Sequence, residues 1–170
     1  VLTALGLNLL IRFGAPQIWD DAYFFTRYAD NYRATGDYSW NPGEAPSYGL
    51  TSVAYGAWVY VMRLLGGEAP LSLWLSSLFW GIVTMIGLWM LVKLQAGAEV
   101  AQRKALYGMF WLVVGLNVLN LSVHFSSGMD TTLAMAWLGG YIYLWKRFEG
   151  RLSPGKALVL GLFGGVAWFI

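Results

Sequence analysis

Two adjacent acids, Asp20 and Asp21, follow Trp19 where an apolar run gives way to a polar one. A carboxylate at such a boundary can take a proton from a hydroxyl, the more readily when it is partly desolvated. The same pair has a plain structural use: capping a helix, where each acid satisfies or complements free backbone N–H groups for about 1 kcal/mol. Residue types alone favour capping. Arg27 falls on the same helical face as Asp20 and can pair with it or hold a phosphate. Asp130, six residues after His124, offers a second constellation. It can cap the helix that "SSGMD" opens, with His124 bonded to backbone, or the two can ligate a metal, although many such pairs arise by chance. Arg63 ends an apolar run. Such a side chain usually snorkels to the interface, and an intramembrane guanidinium can also meet an anionic ligand.

The elements that must position these groups come from hydropathy. Of 170 residues, 58% are hydrophobic, 17% aromatic and only 12% charged, beyond the apolar share of a soluble domain and typical of an integral membrane protein. A net charge of +2 on scattered Lys and Arg excludes a nucleic-acid surface. No cysteine is present, so no disulfide framework or thiolate metal site is available. Walker, dinucleotide, nucleophile-elbow and His-Glu-x-x-His signatures are missing, and the Gly-x-x-x-Gly pair in "GLFGG" suits close helix packing.

Apolar runs without strand-like alternation predict an all-α, polytopic transmembrane helical bundle. The reading assigns TM1 to 1–13 and TM5 to 157–170, both cut by the chain ends as in part of a longer protein. TM2 falls at 71–94, TM3 at 105–123 and TM4 at 130–146, leaving a polar segment at 14–70 and a short loop at 124–129. Within the first polar segment, residues 18–49 hold five of the nine carboxylates. Ala22, Phe25, Ala29 and Tyr32 recur there at helical spacing, with Asp20, Phe24, Arg27 and Asn31 on another face. This predicts an amphipathic juxtamembrane helix, capped by Asp and stopped at "ATGD". Lys93, Arg103 and Lys104, like Lys146, Arg147, Arg151 and Lys156, mark cytoplasmic connections, which puts the loop of Asp130 outside. The side of 14–70 depends on whether 50–65 crosses the bilayer, and charge leaves that open.

"DDAYFFTRYADNYRATGDYSWNPGEAPSYGLTS" resembles the first exterior loop of polytopic GT-C glycosyltransferases, in particular the bacterial branch similar to mycobacterial arabinofuranosyltransferases. In that branch an Asp-Asp-Ala-Tyr/Phe stretch, an Arg-Tyr-Ala and an Asn-Pro-Gly-Glu follow the first transmembrane helix. "SSGMDTTLAMAWL" resembles its later Ser-Gly-Leu-Glu-Thr segment. Asp130 stands where that branch usually has Glu, and no acid precedes the Gly after "APSY".

The resemblance implies an exterior 14–70 segment and a cell-envelope enzyme of the plasma membrane, with its site on the exterior face. It implies inverting transfer of a sugar from a polyprenyl-phosphate donor, as in related mannosyl and aminoarabinose transferases, to a hydroxyl of a glycan, lipid or protein. Asp20 or Asp21 would be the base, with Asp20 preferred for sharing a face with Arg27. Arg27, Arg63, Asn41, Glu44 and Tyr48 would bind donor phosphate or substrate, and Asp130 with His124 a divalent Mg, Mn or Ca ion. Membrane lipids would be partners and nucleic acid would not. A lipid or solute transporter or flippase, or a noncatalytic membrane subunit, are the competing readings.

Overall fold

The computed structural model describes residues 17–45, 49–96, 106–108, 110 and 121–170. The expected first span, most of the third and Tyr48 lie outside the described residues. Within them the chain is all-α with no strand. A 3-10 turn (Asp20–Ala22) leads into α1 (Tyr23–Thr35), followed by α2 (Val53–Leu64) and the long α3 (Ala69–Ala96). A second 3-10 turn (Leu121–Phe125) precedes α4 (Thr131–Phe148), α5 (Pro154–Gly165) and a final 3-10 turn (Val166–Phe169).

Local chemistry explains the boundaries. Gly36 stops α1 at φ 79°, its N–H reaching Tyr32 O at 2.8 Å, the left-handed closure a glycine makes without Cβ strain. Ser52 caps α2 by accepting from Tyr55 N at 3.1 Å. Pro154 opens α5 at a position whose N–H has no helical partner in any case. The predicted Asp caps are not formed. Asp20 and Asp21 sit inside a 3-10 turn entered from Trp19, and neither this turn nor α1 has a side-chain cap. Asp130 likewise makes no capping bond to α4.

At 28 residues, α3 is about 42 Å long, more than the roughly 30 Å hydrocarbon thickness. It is the one helix among the described residues long and apolar enough to cross a membrane. Two of its hydroxyls bond back to the helix: Ser76 Oγ donates to Ser72 O at 2.7 Å and Thr84 Oγ1 to Trp80 O at 2.9 Å.

The core forms where the first 3-10 turn and helices α1 to α4 converge, with Ala22, Phe25, Tyr55, Val59, Leu73 and Leu133 all buried together. Helix α1 buries Phe25, Tyr28 and Ala29 against α2 and α3. Tyr32, expected on that face, is 41% exposed; its ring meets Tyr60 and Tyr38 at the rim. Between α3 and α4 the contacts step in one direction along both chains. Gly128 lies against Leu73, Ser77 Oγ reaches Met129 O and Thr84 Oγ1 reaches Thr132 O. The two helices therefore run side by side in the same sense. Lys93, Lys146 and Arg147, in their last turns, lie at the end away from Gly128.

Candidate functional site

The two polar segments, some 80 residues apart in sequence, are joined by backbone. Gln17 N donates to Ser126 O at 3.1 Å and Trp19 N to Ser127 O at 2.9 Å. Tyr55, fully buried, donates its hydroxyl to Gly128 O at 2.9 Å, and Thr51 Oγ1 donates to Asp130 Oδ2 at 3.0 Å. Gly128 is required at the junction on two counts. Its φ is +77°, and a Cβ there would approach Ala22 Cβ and Leu73 Cβ at 3.0 Å. The "SSGMD" stretch is thus the seam that holds Asp20, Asp21, His124 and Asp130 at one end of the molecule.

On the outer face of α1 lies an open cleft of about 490 Å³ lined by Asp20, Phe24, Arg27, Asp30, Asn31 and Trp40, with Tyr23 and Thr26. These include all four residues of the predicted polar face, which the helix turns toward solvent while Phe25, Tyr28 and Ala29 turn inward. Asp20 is exposed rather than partly desolvated, because the 3-10 turn presents it at the rim. Asp21 is exposed as well but does not line the cleft.

Arg27 is held from below and from the side. Its guanidinium lies 4.2 Å from the Trp40 ring centroid, Nε donates to Trp40 O at 2.9 Å and Nη2 to Asn41 Oδ1 at 3.1 Å. Asn41 Nδ2 donates in turn to Glu44 Oε2 at 2.9 Å, and Asn31 Nδ2 to Ser39 O and Trp40 O at 2.9 and 2.8 Å. Asn41 and Glu44 therefore brace Arg27 from outside the cleft. Two of the five guanidinium N–H donors are engaged in these bonds, and the cation is fixed without a carboxylate partner among the described ion pairs.

No family model, curated protein or solved structure matches this chain. The site is accordingly read from its own geometry.

Arg63 does not join the cleft. Its Nε and Nη2 grip both oxygens of Asp30 at 2.8 and 2.9 Å, and Nη1 donates to Gly67 O. In place of the snorkelling or phosphate binding read from sequence, it makes a bidentate bridge between α1 and α2 and fixes Asp30 in the cleft wall. Asp30 and Trp40 escaped the sequence reading. The available signal was Arg63 itself, since a guanidinium in an apolar run needs an acid within reach.

Asp130 and His124, expected to share a divalent cation, have different neighbours among the described residues. Asp130 is engaged with Thr51, the His124 ring packs edge-on against Trp19 at 5.3 Å, and its Nδ1 is covered with no partner among the described residues. Nor do any three His, Asp or Glu side chains converge there among the described residues. Burial holds His124 below the usual histidine range, which favours the neutral ring at pH 7.

Burial raises the Asp130 carboxyl above its ordinary value of 3.8, opposed in part by the bond from Thr51. A raised acid favours folding in its protonated form. That contribution is full below the ordinary value and is lost as pH rises through the raised one. Asp130→Asn, uncharged at every pH and still able to accept from Thr51, should melt above the parent at pH 7. Its advantage should close as pH falls through the raised value toward 3.8. Melting curves between pH 4 and 7 check this, and an advantage that grew in acid would contradict it.

Proposed function

We propose that this chain is part of a multi-pass GT-C-type glycosyltransferase of the cell membrane, which moves a sugar from a polyprenyl-phosphate donor to a hydroxyl acceptor on the exterior face, with inversion. The observation that carries the reading is the cleft that holds Asp20 and a braced Arg27 together. Inverting transfer needs those two groups. A carboxylate takes the acceptor proton as the oxygen attacks the anomeric carbon, and a fixed cation meets the charge that builds on the departing lipid phosphate as the C1–O bond breaks. Asp20 fills the first role and Arg27 the second, while Asp30 and Asn31 offer further hydrogen-bond partners to sugar hydroxyls.

The membrane setting draws support from the long apolar α3 and from bare aliphatic surface one turn apart on it, where Ile82 and Ile86 are more than half exposed. Lys93, Lys146 and Arg147 lie at the end away from Gly128, as the positive-inside rule expects of a cytoplasmic end, and the exterior assignment of the other end rests on the resemblance of its polar segments to the exterior loops of GT-C enzymes.

The test is product formation. The full-length protein, reconstituted with a polyprenyl-phosphate-linked sugar and an alcohol acceptor, should yield a glycosidic product of inverted configuration. Movement of the intact lipid or its head group across the bilayer, with no glycosidic product, would make the chain a transporter instead. With neither product nor movement, it would be a noncatalytic subunit.

A further inference from the structure

On the side of α2 away from α1 runs an apolar groove of about 620 Å³ between α2, α3, α4 and the end of α5, within the size range of pockets that hold small ligands. Ala54, Ala57 and Val61 of α2 and Leu133, Ala136 and Gly140 of α4 line it. Both sets share the spacing i, i+3, i+7, which puts each on one helix face and gives the groove a length of about 10 Å at 1.5 Å per residue. Small side chains on the two facing helices keep it open, and Trp58, Trp80 and Trp137 wall it.

The lining itself is apolar, and polar groups stand just beyond it, at the mouth by the N-terminal ends of α2 and α4. Asp130, at the N-terminal end of α4, lies one turn before Leu133, and Thr51, in the extended chain that enters α2, is hydrogen-bonded to it across the gap between α2 and α4. Ser52 Oγ lies 3.5 Å from Phe169 O on the neighbouring edge, next to Ile170, which also lines the groove. Among the described residues no Lys or Arg serves this mouth. Arg63 is turned to Asp30 on the α1 side, Arg27 is held on Trp40, and Lys146 belongs to the far end of α4. A phosphate at the mouth would face a carboxylate and find no cation among the described residues. An alcohol would find an acceptor in Asp130 and a hydroxyl partner in Thr51.

We propose that the groove holds the hydrocarbon chain of an uncharged lipid whose hydroxylated head bonds to the Asp130–Thr51 pair. Within the function proposed above, on which this one word rests, such a lipid is the acceptor: the chain of the alcohol lies in the groove and its head emerges beside the seam that carries Asp20. The occupant is thereby distinguished from the anionic donor, whose phosphate belongs at Arg27.

Binding can be read without any transfer assay, so its failure and that of the transferase reading are separable. The full-length protein is held in lauryl dimethylamine oxide, whose head lacks a hydroxyl, and titrated with monoolein or with oleyl phosphate under native mass spectrometry. Monoolein should bind at least tenfold more tightly than oleyl phosphate at pH 7. Asp130→Lys should reverse that order, and Ala57→Trp, which fills the groove from an exposed position, should remove the bound monoolein. Equal or tighter binding of oleyl phosphate by the unaltered protein would overturn the proposal in favour of an anionic lipid. Monoolein retention unchanged by Ala57→Trp would reduce the groove to ordinary bilayer-facing surface.

Discussion

Asp20→Asn is expected to lower sugar transfer by roughly 10²- to 10⁴-fold, the usual contribution of a positioned general base, while leaving the fold and donor binding intact. The amide matches the carboxylate in size and still accepts a hydrogen bond, so the acceptor can dock, but it takes no proton. Because Asp20 makes no cap, no helix end is lost with it. Asp21→Asn is the internal comparison. It alters a neighbouring acid of the same 3-10 turn that stays outside the cleft, and activity should remain within a few-fold of the parent. Initial rates at saturating donor, with melting temperature as the folding control, decide between them. A loss that followed Asp21 would move the base by one residue. Full activity in both single variants and in the double variant would remove the carboxylate mechanism.

Phe125→Ala should cost about 3–5 kcal/mol of stability, the range for deleting a buried aromatic ring. Phe125 is fully buried in the 3-10 turn Leu121–Phe125, and its ring occupies the space where a side chain at Gly81 would sit. The turn leads directly into Ser126 and Ser127, whose carbonyls receive Gln17 N and Trp19 N. The cavity would therefore open beneath the seam that carries both polar segments. A melting-point loss on the order of 10 °C in detergent is expected for a chain of this size, together with weaker transfer. Phe125→Leu should recover part of both, since it refills most of the volume. A shift below about 1 kcal/mol would mean that the seam does not depend on this ring.

Much of the local structure was legible in the residues. Apolar spacing identified the inward face of α1 through Ala22, Phe25 and Ala29, and its polar complement proved to be the cleft wall. The exchange of Tyr32 for Tyr28 has a tertiary cause. Both lie at the margin of the apolar stripe, and Tyr28 is covered by the returning loop, where its hydroxyl accepts from Gly49 N and its ring meets Tyr38 and Trp40. The cap readings failed because a capping Asp needs an extended backbone: Asp20 and Asp21 lie within a 3-10 turn before α1, and Asp130 is itself helical at φ -69° and ψ -11°. Partners distant in sequence left no periodic trace. Arg63 with Asp30 and Thr51 with Asp130 are separated by 33 and 79 residues, and only packing brings them together. Composition pointed to the bilayer, and among the described residues one helix, α3, is long and apolar enough to cross it.

The account rests on one end of the molecule, the end of the paired acids, facing the exterior. These 170 residues hold no cysteine, and any cysteine elsewhere in the full-length protein is first replaced by serine, so that single introduced cysteines report cleanly. Ala45→Cys and Leu152→Cys, both at exposed positions, can be placed in the full-length protein in intact cells and treated with a membrane-impermeant maleimide. Labelling at position 45 in intact cells, and at position 152 only after permeabilisation, is the predicted result. Position 45 reachable only after permeabilisation would contradict the account.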